Sequence, residues 1–266
     1  MTQCFCQIGE PVERKPLPPL IIGATGGSGT RVVARIVQRA GYNLGTYVNE
    51  ANDALVFRPF HDRWVNRFLD LERRNVDWRG KATKQMADEL RVAIRRHVES
   101  PNIPESRWGW KAPRSIYLLP FLWTQFPNLK FIQVVRDGRD MAFSKNQNQL
   151  RKHGALVLSR RERWFNPAPI RSVLLWARIN LGAAEFAERQ LGSGYFVVRF
   201  EDLCHQPVET TGALLRFLNI PLDPESIASS EILAPSSIGR WRNQSDRVIA
   251  KMTAAGETAL RKFGYL

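Results

Sequence analysis

The residues best suited to chemistry lie at Gly23-Ala24-Thr25-Gly26-Gly27-Ser28-Gly29-Thr30, between the apolar run Leu20-Ile21-Ile22 and a helical pattern of Val32, Val33, Ile36 and Val37. Glycines let a backbone approach a ligand closely, and a helix opening straight after the turn offers free N–H groups and a positive dipole end. A phosphate-bearing ligand is therefore the first expectation. A second candidate is Arg136-Asp137-Gly138-Arg139-Asp140, which follows the β-branched run Leu129 to Val135. A third is Lys111, presented at the end of Trp108-Gly109-Trp110. The polar connection 42–61 carries Asn49, Glu50, Asn52, Asp53 and His61, and is long enough to suggest function.

The glycine-rich turn is compatible with more than one nucleotide. A triphosphatase loop would place Lys before the final Ser or Thr, and this chain has Gly29 before Thr30. The spacing Gly23, Gly26, Gly29 also fits an NAD(P)-binding, dehydrogenase-like turn. That reading calls for a strand ending in an acidic residue about 20 residues on, where the sequence instead has Gly41-Tyr42-Asn43-Leu44-Gly45.

These residues need a scaffold, and the sequence supplies alternating buried strands and helices. Strands are expected at 20–22, 108–111, 129–135 and 195–200, and helices at 61–75, 82–99, 115–126, 172–191 and 248–263. A helix opening at Arg136 to Asp140 is expected to run through Met141, Phe143 and Ser144. The pattern predicts an α/β three-layer sandwich with a central, mostly parallel sheet. Residues 1–17 are expected to be a flexible lead-in to one domain spanning 18–266. The cation-rich segment 150–171 is a candidate lid or acceptor loop.

Composition narrows the partners. With 39 Lys and Arg against 25 Asp and Glu, the 266-residue chain carries a net charge of +14, which favours anionic partners. Its cations are scattered through helices rather than gathered in a nucleic-acid motif, so no nucleic acid is expected. Cys4, Cys6 and Cys204 make neither a disulfide framework nor a zinc set. A cytoplasmic protein with no membrane span is the resulting expectation.

Val134-Val135-Arg136-Asp137-Gly138-Arg139-Asp140-Met141-Ala142-Phe143-Ser144 resembles the 3′-phosphate motif of sulfotransferases that use 3′-phosphoadenosine-5′-phosphosulfate (PAPS). Ser28-Gly29-Thr30 resembles the centre of their 5′-phosphosulfate loop, Trp110-Lys111-Ala112-Pro113 a stretch before the motif strand, and Arg199-Phe200-Glu201-Asp202-Leu203 a later one. Ser237-Ile238-Gly239-Arg240-Trp241-Arg242 and Phe263-Gly264-Tyr265 are similar to the C-terminal segments. The resemblance implies a P-loop-like sulfotransferase fold and metal-independent, in-line sulfuryl transfer from PAPS as co-substrate. Gly26, Gly27, Ser28, Gly29, Thr30 and Arg31 would hold the 5′-phosphosulfate. Arg136 and Ser144 would take the 3′-phosphate, Phe200 would lie beside adenine, and Ser237, Gly239, Arg240 and Trp241 would close over the nucleotide. Lys111 would stabilise charge at the transferring group. Gly27 stands where the family carries Lys or Arg, so Arg31 or Lys111 would supply that cation. Glu50 is implied as general base, with Asp53 and His61 as alternates. A PAPS-binding protein without transfer is the alternative that Gly27 motivates. The acceptor, whether carbohydrate, lipid, peptide or small molecule, is left open.

Overall fold

Leu20–Ala24 forms β1 at the centre of a four-stranded sheet, in a computed structural model that describes residues 18–77, 80–98, 107–232 and 237–266. The other strands are β2 (Gly109–Lys111), β3 (Lys130–Val135) and β4 (Tyr195–Arg199), in the order β2-β1-β3-β4 with every pairing parallel. Register places Leu20 beside Gly109 and Lys130, so all four strands end at one edge.

The helices are α1 (Thr30–Arg39), α2 (Arg58–Arg73), α3 (Lys81–Val98), α4 (Leu119–Gln125), α5 (Gly138–Ala142), α6 (Asn148–Val157), α7 (Arg160–Phe165) and α8 (Ala168–Gln190). After β4 come α9 (Phe200–His205), α10 (Pro207–Leu218), α11 (Pro224–Glu231) and α12 (Asp246–Lys262). Both faces of the sheet are covered. Leu20, Ile22 and Ala24 alternate with Ile21 along β1, as a pleated strand requires. The first set packs with Val33, Ile36 and Val37 of α1 and Leu214 and Leu218 of α10. Ile21 packs with Trp64 of α2, Phe131 and Ala187 of α8. The three-layer α/β expectation is met.

Several expected boundaries differ. The connection 42–61 is not irregular to its end. Leu55–Phe57 is a 3-10 turn and α2 starts at Arg58, because Phe57, Phe60, Trp64 and Phe68 recur at helical spacing and are all buried. His61 therefore sits on a helix. The segment 150–171, expected as a loop, is instead most of α6, all of α7 and the start of α8. Ser159 and Glu162 form a reciprocal capping box that starts α7. The helix expected from Ser115 begins as a 3-10 turn over Pro113–Leu118. Helix α5 stops at Ala142, before Ser144, where the Gln147 amide donates to the carbonyls of Met141 and Ser144 at 2.9 Å each. The lead-in 1–17, with Cys4 and Cys6, lies outside the described residues.

Candidate active site

Crossovers from β1 and from β3 leave in opposite directions, towards β2 and β4 respectively. Adjacent strands of that kind open a crevice between their carboxyl ends. The glycine-rich turn occupies it. Gly27 and Gly29 adopt left-handed φ values of 90° and 80°, and Gly29 is the N-cap of α1. A Cβ on Gly29 would lie 2.1 Å from the Phe200 ring, so only glycine fits there. Ser28 donates its hydroxyl to the Thr25 carbonyl at 2.6 Å, which commits that proton to the turn itself. The Val32 amide bonds the Gly29 carbonyl at 3.2 Å, and the Thr30 and Arg31 amides ahead of it, at the opening of α1, are the ones available to an anion.

Below the turn lies a cleft of about 610 Å³, lined by residues 26–32 together with Asp53, His61, Lys111, Arg114, Gln149 and Lys152, among others. Lys111 comes from the last position of β2 and is 1% exposed. Its ammonium donates to the Ala51 carbonyl at 2.7 Å and to Asp53 Oδ1 at 2.5 Å. Burial lowers the Lys111 pKa, the Asp53 charge opposes that, and Arg31 adds to the lowering. Asp53 Oδ2 accepts from the Asn49 side chain at 3.1 Å. Arg31, exposed on the first turn of α1, lines the cleft and has no hydrogen-bond or ion-pair partner among the described residues.

The three expected base candidates separate clearly. Asp53 lines the cleft. Glu50 is exposed and lies outside the lining residues. His61 lines it too, but its Nε2 meets Ser115 Oγ at 3.2 Å and its ring also hydrogen-bonds the Phe57 backbone. Burial first, then the Arg114 charge, drives its pKa down to about 3, so the imidazole is neutral and fixed in the wall.

One wall was not anticipated from sequence. Asp62 accepts from Arg114 at 2.6 Å and Lys152 at 3.0 Å, with Arg58 at 3.8 Å. Burial raises the Asp62 pKa, yet hydrogen bonds from Lys152 and Arg114 outweigh it and hold the carboxyl below its ordinary value. Arg58, Arg114 and Lys152 all face the cleft. Arg114 was within reach of sequence reasoning, three positions after Lys111 and beyond Pro113. Lys152 belongs to the cation-rich segment 150–171 expected as a lid or acceptor loop, whereas Arg58 offered no local signal.

The segment after β3 is fastened to the C-terminal region. Arg136 donates to the Ser237 carbonyl at 2.7 Å and to its hydroxyl at 3.0 Å, leaving its buried Nε without a hydrogen bond. Asp140 accepts from the amides of Gly239 at 2.7 Å and Trp241 at 3.2 Å. Arg240 reaches the Ser237 and Phe143 carbonyls, and the Arg139 guanidinium lies 3.9 Å from the Trp241 ring centre. Glu201 joins two further stretches, accepting from the Asp137 amide at 2.9 Å and the Tyr265 hydroxyl at 2.8 Å.

The glycine-rich turn and Arg136 thus share one edge of the sheet. Phe200 bridges them, against Gly29 on one side and 5.1 Å from the Arg136 guanidinium on the other. A Cβ on Gly27 would lie 3.5 Å from Ser144 Oγ. Arg136, Ser144, Ser237, Gly239, Arg240 and Trp241 do not line the cleft itself. No helix among the described residues is long and apolar enough to cross a membrane.

Comparison with known proteins agrees with this fold. The sequence profile of the sulfotransferase family matches residues 19–224. Among solved structures, the sulfotransferase domain from the curacin biosynthetic pathway is similar, with a TM-score of 0.55 at 15% identity over 92% of this chain and 98% of that one. The sulfotransferase domain of a Synechococcus olefin synthase gives 0.53 at 15% identity, over 94% of this chain and 97% of that one. At that identity the likeness is one of fold. No curated protein sequence matches this chain significantly.

Proposed function

The chain belongs to the sulfotransferase family, and from that premise we propose that it transfers a sulfuryl group from PAPS to a hydroxyl or amine acceptor. The observation that carries the reading is the meeting, in one cleft, of the α1 N-terminal turn, the Lys111–Asp53 pair and the unpaired Arg31. An amide-lined turn receives an anion, a carboxylate can take a proton, and cations can neutralise a developing negative charge.

The reaction forms a bond from the acceptor oxygen or nitrogen to sulfur and breaks the bond from sulfur to the bridging oxygen. That oxygen leaves on the 5′-phosphate of adenosine 3′,5′-bisphosphate. Backbone amides from Gly26 to Thr30 hold the phosphosulfate. Arg31 and Lys111 meet the charge on the bridging oxygen, the part that Gly27 cannot play. Asp53 takes the acceptor proton, since Glu50 is outside the cleft and His61 is committed to Ser115. Arg136 and Ser144 receive the 3′-phosphate, with the Ser237–Trp241 segment closing the nucleotide site. A dinucleotide reading has less support, because β2, the neighbouring strand, ends in Lys111 where a ribose-binding carboxylate is required.

The test is incubation with sulfur-labelled PAPS and a panel of phenols, sugars, hydroxylated lipids and tyrosine peptides. Label in an acceptor is expected. Tight PAPS binding with no transfer to any acceptor and no hydrolysis would favour the binding-only alternative. Stronger thermal stabilisation by NADP than by adenosine 3′,5′-bisphosphate would sink both.

A further inference from the structure

Helix α7 presents two large aromatic side chains that the fold leaves uncovered. Trp164 is 82% and Phe165 81% exposed, the most of the large apolar side chains among the described residues, with Tyr47 next at 67%. The helix that carries them is well anchored. Its capping box closes the N-terminus, and Arg178 clamps Glu162 with contacts of 2.9 and 2.5 Å while donating to the Val157 carbonyl. Asn166 donates back to the Glu162 carbonyl at 3.0 Å. The exposure is therefore a property of a rigid element. Adjacent uncovered aromatics on such an element mark an interaction surface.

The charges around them indicate what that surface meets. Arg160 and Arg161 are exposed and have no ion-pair partner among the described residues. Helical spacing puts Arg160 next to Trp164, and Arg161 next to both Trp164 and Phe165. Of the six cations within 150–171, Lys152 pairs with Asp62 at the cleft, and the segment's one acid, Glu162, is neutralised by Arg178, which leaves Arg160 and Arg161 beside the two rings with no acid of their own helix free to pair with them. Such a face repels a second copy of a +14 chain. An amphipathic indole and an apolar phenyl ring beside arginine are suited to a membrane–water interface, where the rings sit at headgroup depth and the guanidinium groups meet lipid phosphates.

We propose that α7 docks this protein onto anionic bilayer surfaces, with Trp164 and Phe165 seated among the headgroups and Arg160 and Arg161 on their phosphates. The contact is peripheral and spans nothing. The proposal does not depend on which sulfuryl donor or acceptor is used.

Co-sedimentation of the full chain with phosphatidylglycerol–phosphatidylcholine vesicles tests it, with pure phosphatidylcholine vesicles as reference. Wild type is expected to pellet with the anionic vesicles, weakly or not at all with the neutral ones, and less as salt shortens the Debye length. Trp164→Ala/Phe165→Ala keeps every arginine and should weaken vesicle affinity by roughly tenfold or more. Arg160→Gln/Arg161→Gln should do likewise, with thermal unfolding by circular dichroism showing both variants folded. Unchanged binding by the aromatic double variant would reduce the effect to bulk charge and overturn the proposal. So would the absence of vesicle binding, or a wild-type dimer in sedimentation velocity that the aromatic substitutions dissolve, which would assign the face to a second copy.

Discussion

Lys111 and Asp53 are 58 positions apart in sequence, and their side chains meet at 2.5 Å beside the glycine-rich turn. A lysine this buried stays charged only with a counter-ion, and Asp53 is that counter-ion, partly open to the cleft. In the proposed reaction, an arriving anionic donor would offer Lys111 another partner and leave Asp53 freer to accept a proton.

Asp53→Asn is therefore expected to lower turnover by about 10²-fold or more, as for loss of a general base, with adenosine 3′,5′-bisphosphate affinity changed little. Removing the carboxylate also removes what opposes the burial-driven lowering of the Lys111 pKa. The basic limb of kcat/KM against pH should move to lower pH, because the ammonium is lost earlier as pH rises. An unmoved limb would exclude Lys111 as the group responsible.

Arg136 has two possible duties, since its guanidinium also holds Ser237. If it receives the 3′-phosphate, Arg136→Ala weakens adenosine 3′,5′-bisphosphate by about tenfold or more while adenosine 5′-phosphate loses little, given ~1.5–3 kcal/mol for a charged hydrogen bond. Calorimetric titration of both nucleotides separates the cases. Equal losses would leave Arg136 as the fastener of the C-terminal segment alone.

Gly29→Ala should destabilise the fold by about 2–4 kcal/mol, combining left-handed strain with a side-chain clash. The added methyl lands 2.1 Å from the Phe200 ring at a φ of 80°. Thermal unfolding should show a fall of several degrees. Measured in a Phe200→Ala background, with that single variant as reference, the clash is gone but the φ remains, so Gly29→Ala should recover only part of its cost. Full recovery would mean that the backbone carries no strain.

Two buried histidines are expected to weaken the fold in acid. Burial holds His61 down to about 3 and His153 to about 4, against 6.5 for the free side chain. Their neutral forms confer stability that is complete above about 6.5 and lost as pH falls towards those lower values, because the unfolded chain binds protons that the folded one refuses. Urea midpoints at pH 7 and pH 4 should show a smaller drop for His61→Gln than for wild type. An equal drop would place the acid sensitivity elsewhere.

What was legible in the sequence was local. Three apolar residues ahead of Gly23, and the β-branched run ahead of Arg136, identify buried parallel strands ending in ligand-ready turns, because strand, turn and helix are each encoded by near neighbours. Lys111 was legible for the same reason. The helical nature of 150–171 was readable in principle from Ser159 and Glu162, whose spacing is that of a capping box, but its run of cations suggested a loop.

The α/β class, the turn at Gly23 to Thr30 and the basic character of the protein are written in the order of its residues, since they rest on contacts a few residues apart and on summed charge. It took the folded chain to bring Asp53 rather than Glu50 into the cleft, to gather Arg58, Arg114 and Lys152 around Asp62, and to bind the segment from Ser237 to Trp241 to Arg136 and Asp140. Those pairings join positions up to 101 residues apart. The packing of helices against both faces of the sheet creates that proximity, and no local pattern records it.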